Sequence, residues 1–438
     1  MRVLFSLGLL GVLAGCTPMT PFYANSPGEP RRSVQRKGAY DLAFVEFGEQ
    51  GSYQDPAQLE NARDLIKNTP RPLVITYVHG WQNNAVSGDA EKFADLLRDL
   101  SASEIVRAEH FHVIGVYLGW RGQLTKVPVA KELTFFSRKA AAERLASNFD
   151  CYDAIATVSE AARKYHAADG QYTILLGHSF GGLVVERSVA HAINAEIHGR
   201  STDPAKALPA DLILLLNPAS DSVLTRQMIA ALYSRHLEDT REFVVSMTST
   251  ADDATKLAFP AGTQLAAVTK GFNDVRVPGP VEHTESERRF YTTTPGHNPF
   301  LVNHATVDLH QTLPGHGKTA FEDNLSHHEL AGHVFETDDG TGNYKLWQFK
   351  QVGPVDVPYW DVAVDPSIIK DHGDIWNDRA RAMMAAVFRM NIPGRAAMVR
   401  RSVVTPTAIS PVKASGVPPK PDLHREPDFQ RLATPQTR

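Results

Sequence analysis

The sequence predicts an α/β fold in which helices wrap a mostly parallel central sheet. Three observations lead there. Short continuous apolar runs, such as PLVITYVHG (72–80) and YTILLGH (172–178), have the length of strands buried on both faces. These runs alternate with helical segments along most of the chain. The run at 172–178 breaks off at a glycine-rich turn that opens a helical stretch. With 438 residues, 42% of them apolar and 21% charged, the chain can build one large α/β domain or two ordinary ones. A formal net charge of −4 gives no electrostatic reason to expect nucleic acid as a partner.

In order, LAFVEF (42–47) reads as a strand and ENARDLIKN (60–68) as a helix. The strand at 72–80 is followed by the amphipathic helix DAEKFADLLRDL (89–100) and the strand FHVIGVYLGW (111–120). One long helical region covers 137–168. Strand 172–178, helix 181–197, strand DLILLLNPA (211–219), helix TRQMIAALYSRH (225–236) and strand REFVVSMTS (241–249) continue the alternation. Residues 260–345, rich in Gly, Pro, His and Thr, break it. A structureless loop of that length does not suit a compact domain, so the segment is expected to be an insertion over the edge or top of the sheet, placed to act as a lid or cap. YWDVAVDPSII (359–369) supplies the last strand and NDRARAMMAAVFRMN (377–391) the last helix, giving a folded domain over 38–392.

Both ends differ from this middle. Residues 393–438 hold many prolines and little apolar periodicity, and a disordered or extended tail is expected there. At the other end, MRVLFSLGLLGVLAGCTP has a basic start at Arg2 and an apolar stretch from Val3 to Val12, too short for an ordinary membrane-spanning helix. Leu13-Ala14-Gly15-Cys16 then places small residues before a cysteine. The pattern resembles a bacterial lipoprotein signal, which implies that residues 1–15 are removed and that Cys16 carries lipid. An ordinary secretory signal with an incidental cysteine is the alternative. Thr17 in place of an Asp implies sorting to the outer membrane. Residues 16–37 then read as a lipidated tether, and acyl chains hold the protein to the membrane without spanning it. The other cysteine, Cys151, falls in a helical pattern and reads as a small core residue.

Chemistry concentrates at Gly177-His178-Ser179-Phe180-Gly181. A sharp strand-to-helix turn brings backbone against backbone, excludes bulky flanking residues, and lifts the Ser179 hydroxyl above the carboxyl end of the sheet. A hydroxyl needs a base and a place for the developing oxyanion. The N–H groups of Phe180, directly after the serine, and of Trp81, in the turn His79-Gly80-Trp81 after the earlier strand, are the candidate oxyanion donors. The His79 side chain itself reads as shaping that loop. Eight histidines fall in the segment 283–333, including HHELAGH (327–333). There His328 and His333 are five apart and off one helical face, so no metal site is assigned. His372 is placed differently, between the last strand and the last helix, where a loop can bring an imidazole to Ser179.

Over about residues 40–391 the chain resembles the serine esterase and lipase branch of the α/β-hydrolase superfamily, on Gly177 to Gly181, His79-Gly80, an acid after a late strand and a histidine before the final helix. The resemblance implies an eight-stranded type of sheet and the chain order Ser, Asp, His. It picks Asp252 in TSTADDATKLA as the acid, with Asp253 and Asp221 as alternatives. The expected activity is hydrolysis of a carboxylic ester by Ser179, His372 and Asp252, with no cofactor. Transfer of the acyl group to another acceptor, or an idle scaffold that binds in the cell envelope, are the competing expectations. Cys16→Ser is expected to block processing or release the protein from membranes; unchanged membrane fractionation together with an unchanged mass at the mature N-terminus refutes the acyl anchor.

Overall fold

A computed structural model describes residues 20–23, 32–123, 134–166, 170–197, 209–234, 242–315, 317–326 and 333–392. Residues 1–15, Cys16, His327 to Gly332 and the tail 393–438 lie outside them. The strands are β1 Val34–Arg36, β2 Tyr40–Glu46, β3 Pro72–Val78, β4 His112–Gly119, β5 Tyr172–His178, β6 Leu212–Leu216, β7 Val244–Ser249, β8 Asp274–Arg276, β9 Thr284–Ser286, β10 His304–Pro314, β11 Val334–Asp338, β12 Asn343–Gln351 and β13 Tyr359–Val364. The helices are α1 Ala57–Lys67, α2 Gly88–Ala102, α3 Glu104–Ala108, α4 Phe135–Ser147, α5 Phe149–His166, α6 Phe180–Ile197, α7 Val223–Ser234, α8 Phe259–Ala267, α9 Glu287–Tyr291, α10 Ala320–Ser326 and α11 Asp378–Asn391.

Eleven strands form the central sheet in the order β1-β2-β4-β3-β5-β6-β7-β13-β10-β12-β11. From β2 to β10 every pairing is parallel, and β1, β12 and β11 pair antiparallel with their neighbours. The fold is therefore α/β, with a mostly parallel sheet between two helical layers. The apolar strands supply both layers at once. Leu212, Leu214 and Leu216 of β6 pack with α2, α10 and α11, while Ile213 and Leu215 pack with α4, α5 and α6 on the opposite face. Each fully buried Leu removes enough surface from water to contribute about 2 kcal/mol.

The structure departs from the sequence reading in three places. The helical region expected over 137–168 is divided into two helices. Asn148 between them is extended, and its side-chain oxygen accepts from the Asp150 N–H, which caps α5. The stretch expected to be a tether at 16–37 is folded where it is described. The N–H groups of Phe22 and Tyr23 donate to the Glu46 carboxylate, Tyr23 stacks on Phe44 at 3.8 Å, and β1 joins the sheet. Glu46 explains the docking: burial pushes its carboxyl above the usual range, and these donors with Gln58 pull it back. Finally, the insertion 260–345 adds strands to the sheet. β10 pairs parallel with β13, and β12, which runs past the expected end of the insertion to Gln351, and β11 follow, so the eight-stranded type becomes eleven. The new edge is covered by side chains: Arg389 bonds the Val334 carbonyl, Asn324 both the N–H and the carbonyl of Glu336, and Arg379 the Asp338 carbonyl.

Under the sheet centre, Glu186 of α6 is fully buried and accepts from Thr225 Oγ1 at 2.6 Å. Burial raises its pKa from 4.5 to about 7, with Ser220 and Thr225 opposing. Below 4.5 both the folded and unfolded chains keep this proton. From 4.5 to about 7 only the folded chain keeps it, so stability falls as pH rises through that window, by roughly 3 kcal/mol in all, and then levels off. Glu186→Gln removes this loss. Its melting temperature relative to the unmodified chain is expected to climb between pH 4.5 and about 7, and parallel curves refute the assignment.

Candidate active site

β5 ends in a turn of a single residue. Ser179 sits at φ 56, a left-handed conformation that is uncommon for a residue with a side chain. Its backbone is held on both sides, the N–H by the Leu216 carbonyl at 3.1 Å and the carbonyl by the Ala219 N–H at 3.0 Å. Two glycines make the turn possible. A Cβ on Gly181 would lie 2.0 Å from the Val78 carbonyl oxygen, and one on Gly80 would lie 2.7 Å from Ser179 Cβ. α6 starts at Phe180, so the Phe180 N–H is one of the first-turn donors that no intrahelical carbonyl reaches. The closeness of Gly80 to Ser179 brings the Trp81 turn to the same place. The Trp81 ring donates to Thr134 Oγ1 and packs edge-on against Phe135, which also meets Phe180.

His79 fixes that turn from inside the fold. It accepts from the Trp120 N–H at 3.0 Å through Nε2 and donates to the Gly80 carbonyl at 2.9 Å through Nδ1. Burial lowers its pKa, with the Gly80 bond opposing, so the ring stays neutral in this pattern.

The structure brings Ser179, His372 and Asp252 into one line. Ser179 Oγ donates to His372 Nε2 at 2.7 Å, and His372 Nδ1 donates to Asp252 Oδ2 at 2.7 Å. The carboxylate partner places the proton on Nδ1 and leaves Nε2 free to accept. Asp252 is fully buried and its other oxygen accepts from the Ala254 and Thr255 N–H groups. Burial alone would raise its pKa. The His372 hydrogen bond and charge, with Thr255, outweigh burial and hold the carboxyl below its usual value. The two alternative acids lie elsewhere. Asp253 is exposed at the start of the next turn, and Asp221 pairs with Arg187 at 2.7 Å.

Residues that the sequence reading left out hold the histidine loop. Asn217, directly after β6, donates through Nδ2 to the Asp371 and His372 carbonyls and accepts from the Ser249 N–H through Oδ1. Ser249 Oγ donates to the Ile369 carbonyl, and His178 Nε2 donates to the His372 carbonyl at 2.9 Å. Burial lowers the His178 pKa to about 4, the neighbouring His372 adding to it, so His178 is neutral at ordinary pH and serves as a donor. The signal for Asn217 was present: a polar side chain where an apolar strand stops at the carboxyl edge of the sheet.

The insertion reaches this region through His297, whose Nε2 lies 3.1 Å from Thr255 Oγ1. Of HHELAGH only His333 is described, and it packs edge-on against Trp360. Among the described residues no group of three or more His, Cys, Asp or Glu is placed to hold a metal ion. Cys151 is buried beside Ser188, with its thiol pushed up to about 12 by burial.

No family model and no curated protein matches the sequence. Among solved structures, phospholipase PlaB from Legionella pneumophila in complex with thio-NAD overlaps 76% of this chain at 11% identity, with a TM-score of 0.27. The chain spans 60% of the length of that structure. So loose an overlap assigns neither site nor activity.

Asn217→Ala should let the His372 loop drift while leaving the three aligned side chains chemically intact. Turnover of an activated ester is expected to fall about tenfold to 100-fold, with KM changed far less. Equal turnover by the variant excludes a positioning role.

Proposed function

We propose that this chain is a serine hydrolase of the α/β-hydrolase type that cleaves carboxylic esters, held in the cell envelope by lipid on Cys16 and facing the periplasm or the exterior from the outer membrane. The observation that carries the reading is the unbroken hydrogen-bond line from Ser179 Oγ through His372 to a buried, ionised Asp252, 2.7 Å at each link.

Ser179 Oγ attacks the ester carbonyl carbon while its proton passes to His372 Nε2. The carbonyl π electrons move to oxygen, and the N–H groups of Phe180 and Trp81 are the donors assigned to that oxyanion. Asp252 keeps the imidazole in the Nδ1–H form and stabilises the imidazolium. As the tetrahedral centre collapses, the bond to the alcohol oxygen breaks and His372 returns the proton to it. Water, deprotonated by His372, then attacks the acyl-enzyme by the same route and releases the acid and free Ser179. The steps use three side chains, two backbone N–H groups and one water.

A fluorophosphonate probe and a graded series of nitrophenyl esters test the proposal. Ser179→Ala and His372→Ala are each expected to lose turnover by roughly 10⁴-fold or more, and the double variant to be little worse than either, because groups that act as a unit are not additive. Asp252→Asn should lose less, and Asp253→Asn little. No labelling of Ser179, or near-normal turnover by Ser179→Ala, refutes the reading.

A further inference from the structure

We propose that the outward face of α8, with Phe136 beside it, is a docking surface that seats the carboxyl edge of the sheet on a lipid bilayer. The helix is apolar on both sides: it buries Phe259 and Ala267 together with Thr263, and it still turns apolar side chains to water. Thr263 is buried and folds its hydroxyl back to the Phe259 carbonyl, and Thr255 in the preceding π-helical turn is buried too. Outward stand Ala261 and Leu265 (74% exposed) of α8, with Leu257 (60%) in the π-helical turn before it and Val268 (74%) directly after it. Phe136, 60% exposed, continues the patch: its ring lies against Gly262, where a Cβ would meet it at 3.0 Å. Single exposed apolar residues need no partner, but a contiguous stripe of this kind marks an interaction surface.

Two features favour a lipid surface as the occupant. From Ala254 to Asn273 the chain carries Lys256 and Lys270 and no acid, so the stripe is bracketed by cations suited to phosphate headgroups. The second is reach. The Thr20 carbonyl accepts from Arg121, just beyond the carboxyl end of β4, and Arg121 also stacks over Phe22. The Arg121 carbonyl in turn accepts from Arg138 of α4, the helix that carries Phe136. Thr20 is the fourth residue after Cys16, so the chain can carry the Cys16 Cα no further than about 14 Å from Thr20. This second argument rests on the lipid anchor proposed above; the stripe does not.

Tryptophan quenching by brominated acyl chains tests the surface in the full-length chain, with vesicles of mixed phosphatidylglycerol and phosphatidylcholine. Measured against the unmodified chain, whose five native tryptophans set the background, the indole introduced by Leu265→Trp is expected to be quenched. That introduced by Tyr165→Trp, at the end of α5 and hence at the opposite, amino edge of the sheet, is expected to stay unquenched. This readout needs neither activity nor the anchor. In parallel, a Leu257→Ser, Leu265→Ser, Val268→Ser variant should hydrolyse a vesicle-borne ester about tenfold more slowly or worse, with dissolved ester turned over as before. Absence of quenching in the Leu265→Trp variant, equal quenching in the two tryptophan variants, or unchanged hydrolysis of vesicle-borne ester overturns the proposal. So does a dimer in solution that the triple variant dissolves while the Leu265→Trp indole stays unquenched, because the face then belongs to a second copy. Absence of turnover on every ester, with the Leu265→Trp indole still quenched, keeps the docking surface and removes the hydrolase reading alone.

Discussion

The left-handed backbone at Ser179 is the constraint around which the rest of the site is arranged. Holding a residue with a side chain there costs on the order of 1–3 kcal/mol, and the conformation persists only where the surroundings enforce it. The neighbouring strands do so. β6 supplies the Leu216 carbonyl, the turn after it supplies the Ala219 N–H, and β3 runs so close that its Val78 carbonyl leaves no space for a Cβ at Gly181. Relaxing the turn would require these strands to separate. The continuous apolar core on both faces of the sheet opposes that movement.

The same dependence on neighbours governs the histidine. The His372 ring touches two side chains that define its direction, but its backbone is tied by neighbours that do none of the proposed chemistry. Asn217 spans from β7 to the histidine loop, and Ser249 and His178 add one bond each. Three parallel strands therefore contribute to one imidazole. The fully buried carboxylate behind it is charged only because His372 and Thr255 offset its burial.

The middle of the sheet was legible in the sequence because strands buried on both faces must be continuously apolar, and β3, β5, β6 and β7 are largely so. The candidates Ser179 and His372 were legible from their places after β5 and between β13 and α11, and Asp252 after β7 was picked from its neighbours by the family resemblance. Other parts left weaker marks. β10 buries few of its residues, and its sequence HATVDLHQTLP shows no apolar run, so its place in the sheet comes from pairing with β13 and β12. β1 is three residues long. Docking of Phe22 and Tyr23 depends on a buried carboxylate 23 or 24 residues away, a distance no local pattern records. Two local marks do exist: Asn148 inside an otherwise helical stretch, and Asn217 where the apolar strand β6 stops.

β11 has a consequence for how this chain behaves among copies of itself. An edge strand offers unpaired amides and carbonyls on which another chain can grow. Here the outward carbonyls of Val334, Glu336 and Asp338 already have partners in three side chains from helices α10 and α11, Asn324, Arg379 and Arg389. Side chains mimic the missing twelfth strand and then terminate it, since they present no backbone ladder of their own. A molecule that adds strands to one side of a parallel sheet thereby gains size without gaining a template for polymerisation.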